Sequence, residues 1–144
     1  MEDVEGGSLV GAWLDGREHI CLKAFRLGKS HTSHFLIPLD PAPHPLTKLT
    51  LIHKDPEERV TRMDKQVRLS LSEAMPAVGA PDVGQAFIND RGTFLKVHDS
   101  DSRIRPFAYI DLATGEVRAR QEQGHLDFVL WEVERKSGFF GLFG

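Results

Sequence analysis

The sequence predicts an all-β fold, with one short helix near residues 56–66, in which an antiparallel meander of hairpins closes into a barrel or sandwich. Two observations carry this. Asp15-Gly16 and Gly28-Lys29-Ser30-His31 are tight-turn signals, and the strands they join set apolar residues against apolar residues. Further along, "AFINDRGTFLKV" and "AYIDLATGEVRAR" repeat one hairpin pattern: alanine, an aromatic, isoleucine, Asn or Asp, then a glycine turn.

In chain order, "SLVGAWLDGREHICLKAF" reads as two strands around Asp15-Gly16, a pair suited to the positive φ values of a type I′ turn. Leu14 facing Arg17 sets Leu9 opposite Leu22 and Gly11 opposite Ile20. The next turn sets Ala24 against Phe35, Leu22 against Ile37 and Ile20 against Leu39; a slip of one residue would oppose polar to apolar. "PLDPAPHPL", residues 38–46, holds four prolines and reads as an extended connector or sheet rim. "LTKLTLIHK" follows as a fourth strand. Asp55, Pro56 and Glu58 form a helix start, and Val60, Met63, Val67 and Leu71 continue a helical stripe, although Met63, Val67, Leu69 and Leu71 also alternate. The expectation is a helix over 56–66 and a strand over 67–73. "PAVGAPDVG" is a loop, the two related hairpins follow, and "HLDFVLWEVER" is the last long strand, with a helical spacing at Leu126, Val129, Leu130 and Val133 as the competing pattern. About nine or ten short strands result.

Gly11-Ala12-Trp13 on the first strand resembles the Gly-x-Trp opening of the calycins, the lipocalin and avidin-like barrels. The resemblance implies a barrel, with Arg135 on the final strand as the counterpart of the basic residue those barrels pack on the tryptophan. It is a likeness of fold and carries no function here.

At 144 residues the chain fits one domain: residues 1–136 as a β-rich body and 137–144 as an apolar Gly/Phe tail. Net charge is −3 and no long basic run appears, which argues against a nucleic-acid partner, since that needs a concentrated positive face. One cysteine cannot form an internal disulfide, the acidic "MEDVEGGSLVG" lacks the features of a signal peptide, and no stretch approaches a spanning helix. The expected setting is cytoplasmic, away from membranes.

"HICLKAFRLGKSHTSHF" gathers three of the seven histidines and the only cysteine. In the register above His19, Cys21 and His34 share one face, but His34 lies across from Phe25, four residues beyond Cys21. That is about 13 Å at ~3.4 Å per residue, too far for two ligands of one zinc. Cys21, between Val10 and Pro38, reads as a buried, inert thiol. His19 falls beside Asp40, so His19, Asp40 and His98 are the candidate pocket residues, and no metal or cofactor is expected. "HDSDSR" begins like a calcium loop but lacks the glycine and late glutamate of an EF-hand. No nucleophile elbow or phosphate-binding glycine loop occurs.

The ending "KSGFFGLFG" interleaves phenylalanines with glycines, which deny it a helix or strand of its own. Such a tail either docks on a partner or folds back to plug its own sheet. The expected function is a small non-enzymatic binding protein that contacts a protein partner, or itself as a homo-oligomer, through its sheet surface and tail. Phe139, Phe140, Leu142, Phe143 and Trp131 form the expected interface. The alternative is a barrel-type small-ligand carrier, or an enzyme, with a His-lined, metal-binding pocket.

Overall fold

The computed structural model describes residues 7–14, 16–40, 49–54, 59–63, 65–99 and 106–135. The chain is all-β, with three antiparallel sheets. β1 (Leu9–Leu14), β2 (Arg17–Leu27) and β3 (Thr32–Asp40) form the predicted meander, extended by β4 (Ile52–His53) beyond β3 and β5 (Thr61–Arg62) beyond β1. A pair made of β6 (Val67–Leu71) and β13 (Trp131–Arg135) stands apart. The six-stranded sheet runs β11-β10-β9-β8-β12-β7, where β7 is Met75–Pro76, β8 Ala86–Asn89, β9 Gly92–His98, β10 Phe107–Asp111, β11 Val117–Arg118 and β12 Asp127–Val129.

The first hairpin holds the expected register, with Leu9 opposite Leu22, Gly11 opposite Ile20 and Leu14 opposite Arg17. In the second, Leu22 faces Ile37 and Ala24 faces Phe35 as expected. Ile20 does not face Leu39: an irregularity between Ile20 and Cys21 moves its partner to Asp40. The repeated hairpins are also present as β8–β9 and β10–β11. In the latter, Gly115 takes φ +81° and donates to the Asp111 carbonyl at 2.7 Å, while the Asp111 side chain accepts from the Ala113 N–H at 3.0 Å.

Four expectations need correction. No helix occupies the described residues of 56–66 (55–58 and 64 lie outside them); Thr61 and Arg62 pair instead with Gly11 and Val10. The helical stripe dissolves because Val60 packs on one face of the first sheet, beside Val10 and Cys21, while Met63 packs on the other, in the main core. Pro38–Asp40 belong to β3, with Pro38 opposite Cys21. β4 covers β3 only at Phe35 and Leu36, so the missing proline N–H falls on a side without a partner strand among the described residues. Of the fourth strand, residues 49–51 bond to the end of β9 through the Leu51 N–H to His98 O (3.0 Å) and the His98 N–H to Leu49 O (2.7 Å). The last strand breaks at Leu130, whose N–H donates to the Ser72 hydroxyl at 2.8 Å, so β12 and β13 enter different sheets.

The core lies between the two large sheets. Leu22, Phe35, Ile37 and Leu39 from the first pack with Leu95, Val97, Ala108 and Ile110 from the second, and Leu49 and Leu51 close one side. Among the described residues no sheet closes on itself, but two isolated parallel bridges, Phe25 with Glu116 and Thr50 with His98, join the sheets. No described helix is long and apolar enough to cross a membrane.

Candidate functional site

The outward face of the six-stranded sheet is as apolar as the inward one near its centre. Phe87, Phe94 and Tyr109 are buried there, the Phe87 ring 5.8 Å from Phe94 and 5.9 Å from Tyr109. Two residues along β9 from Phe94, on the same face, stands Lys96, only 7% exposed. Its ammonium donates to Pro81 O and to Glu122 Oε2, both at 3.0 Å, and lies 4.5 Å from the centre of the Phe107 ring. Carbonyl, carboxylate and ring face together replace the water a buried cation loses. Tyr109 is affected by the same cluster. Burial pushes its hydroxyl pKa well above the usual tyrosine value, and hydrogen bonding to Glu122 with that carboxylate's charge pushes it further.

Glu122 belongs to the segment of residues 119–126 that follows β11. The Asn89 amide donates to Gln121 O at 2.6 Å, so two successive residues are tied down, one to the β8–β9 turn and the next to β9 and β10. Gly124, at φ +80°, then reverses the chain toward β12. Between this segment and the turn opens a cleft of about 480 Å³, lined by Asn89, Asp90, Arg91, Arg120, Gln121, His125 and Asp127. His125 and Asp127 pair with each other at 3.3 Å. Gln121 is 7% exposed, yet its Oε1 is buried without a hydrogen-bond partner.

A second cleft, about 370 Å³, lies where β2 meets β10 and β11. Arg26 reaches across it to Asp99 at 2.7 Å with its guanidinium 5.3 Å from the Phe35 ring centre, and Arg118 engages Glu116 at 3.0 Å. Both cations here are already matched by carboxylates.

The residues singled out from sequence are spread over these surfaces. Cys21 is a fully buried thiol outside any disulfide, opposite Val10 and Pro38, as expected. His19 faces Ala12, and the irregularity beside it leaves Asp40 opposite Ile20. His98 ends β9 in the other sheet, opposite Phe107. Asp99 of "HDSDSR" serves the pair with Arg26, and Asp101 lies outside the described residues. No group of three or more His, Cys, Asp or Glu able to hold a metal occurs among the described residues. Trp131 is half-buried against the core and its indole N–H donates to Gly84 O at 2.7 Å. Leu71, which faces Trp131, is exposed, as are Leu130, by 62%, and Met75, which faces Phe128. Trp13 is 68% exposed, so it is not packed beneath a basic residue as the calycin resemblance implies. Phe139, Phe140, Leu142 and Phe143 lie outside the described residues.

The polar cleft has only a faint trace in the sequence: a run of polar residues, Arg120 to His125, after a hairpin, which looks like any solvated loop until it folds over the aromatic face. No family model matches the chain, and comparison with curated proteins and with solved structures finds no match.

Proposed function

We propose that this chain is a small non-enzymatic binding protein that contacts a protein partner, or a second copy of itself, through its sheet surface and its Phe-rich tail. The observation that supports this reading is the exposure of Leu71, opposite Trp131, of Leu130, beside Trp131 in the chain, and of Met75 on the edge strand, which the reading joins into one apolar corner. Exposed apolar side chains occur singly on any surface, but three on neighbouring strands favour contact with another surface. Strand addition is disfavoured there, because the edge strand β7 has two residues and one is a proline. Side chains would make the contact, with Trp131 as its rigid floor.

The same reading takes the two large sheets as one barrel. Its support is the strand circuit β2-β3-β4-β9-β10-β11, to which the bridges Thr50–His98 and Phe25–Glu116 add the two links between sheets. A cytoplasmic setting belongs to it too, supported by the single unbridged cysteine. The alternative, a ligand carrier, finds side chains such as Phe35, Leu95 and Ile110 in the interior, and so moves to the surface clefts.

Light scattering on three proteins tests the interface: the full chain, Leu130→Asp, and a chain lacking residues 139–144. Association in the full chain should be lost in both variants, with melting temperatures nearly unchanged. A collapse of stability on deleting the tail would overturn the reading and make the tail a plug of its own fold. Association that survives Leu130→Asp would remove the corner from it.

A further inference from the structure

We propose that the cleft between the β8–β9 turn and residues 120–125 binds a small phosphorylated molecule that also carries an N–H or O–H donor. Its walls are preformed. The segment bearing Arg120 and Gln121 is pinned by Asn89 to one side and by Lys96 and Tyr109, through Glu122, to the other, so little ordering remains for a ligand to impose.

The chemistry of the walls selects the ligand. Arg91 and Arg120 are exposed and make no side-chain hydrogen bond or ion pair among the described residues, in a chain whose net charge is −3. A carboxylate spreads one negative charge over two oxygens, which one guanidinium fork already spans. A phosphate monoester has three terminal oxygens and can accept from two forks together. Two carboxylates, Asp90 and Asp127, line the same cleft; Asp127 lies 3.3 Å from His125, which balances its charge when protonated.

Gln121 supplies the second requirement. Its Oε1 lacks a donor while buried, a state that is unfavourable because the oxygen has given up water without a replacement. The terminal amide torsion of glutamine is broad, so a small rotation presents this oxygen to the cleft that Gln121 lines. A fully ionised phosphate monoester has only acceptor oxygens and cannot satisfy another acceptor, so the donor must come from elsewhere in the same ligand. A cleft of about 480 Å³, on the order of sixteen waters at ~30 Å³ each, has room for it beside a phosphate group.

Amide chemical shifts, followed at pH 8 and constant ionic strength while methyl phosphate (the bare phosphate probe, a dianion with no donor), AMP or glucose 6-phosphate is added, test this. Methyl phosphate should shift the resonances of Arg91, Gly92, Gly124 and His125 saturably, and at least one of the two larger esters should bind tenfold more tightly than methyl phosphate. Arg91→Gln with Arg120→Gln should abolish methyl phosphate binding and leave the self-association state unchanged, which separates this site from the apolar corner. Gln121→Leu should weaken the larger ester and spare methyl phosphate, with a melting temperature that is held or raised. Absence of saturable shifts with methyl phosphate, or equal binding by the double arginine variant, overturns the proposal. Larger esters no tighter than methyl phosphate, or unaffected by Gln121→Leu, overturn the donor requirement.

Discussion

Lys96 occupies a position where a sheet covered on both faces would ordinarily hold an apolar side chain. Its charge is retained because three different groups share it: the Pro81 carbonyl, the Glu122 carboxylate and the Phe107 ring. The neighbouring Tyr109 makes this environment measurable, since it is the only tyrosine in the chain. Its folded-state pKa is raised above the unfolded value of about 10. The stability it contributes is therefore fully present below pH ~10 and is lost as pH rises from there toward the folded value. Phenolate absorbance in the native protein should stay low as pH passes ~10, then rise together with loss of structure. A simple titration centred near pH ~10 with the fold intact would show that burial and Glu122 do not act on this hydroxyl. None of this was legible in the sequence, because the aromatic and lysine positions of β9 and β10 look like an ordinary exposed face until residues 119–126 are placed over them.

Turns set the register of the first sheet, and two glycines act in them for different reasons. Gly16 has φ +80° and open space where a Cβ would stand, so Gly16→Ala costs only the backbone strain, about 1–2 kcal/mol. At Gly28 an added Cβ would lie 2.6 Å from the His31 carbonyl oxygen, the very group that accepts from the Gly28 N–H. Gly28→Ala should therefore lower the urea midpoint more than Gly16→Ala, and Gly16→Asn should recover part of the first loss, since asparagine tolerates that backbone. Equal effects of the two alanines would mean that the second turn relaxes freely. Hairpins were the legible elements: local turn chemistry and apolar pairing placed Leu9, Leu22, Ala24 and Phe35 correctly. Elsewhere, tertiary partners overrode local pattern. Val60 and Met63 fit one helical stripe yet serve two faces of a sheet, Pro38 is tolerated on a side of β3 that β4 does not cover, and Leu130 leaves its strand for a serine hydroxyl.

Across the whole molecule, strands distant in sequence complete each other. β12 lies between β8 and β7, and β13 is the partner strand of β6. A chain ending at residue 126 loses both, so it should show neither a cooperative unfolding transition nor the native dispersion of amide resonances. A truncated chain that unfolds as cooperatively as the full one would mean that the first sheet and β8–β11 suffice. The polar cleft was illegible for the same reason, because Asn89 and Arg91 are brought to Arg120 and Gln121 only by this long-range assembly. The sequence does record which residues are polar, but not which of them meet.

The break at Leu130 also sets a schedule for synthesis. Residues 67–71 and 75–76 emerge in mid-chain, yet their partners are residues 131–135 and 127–128. At ~5–20 residues per second they wait on the order of several seconds, with apolar Val67, Leu69 and Met75 unpaired, until residues 127–135 have been made. These strands complete their pairing only after a delay of about sixty residues, and for that interval a chaperone has something to hold.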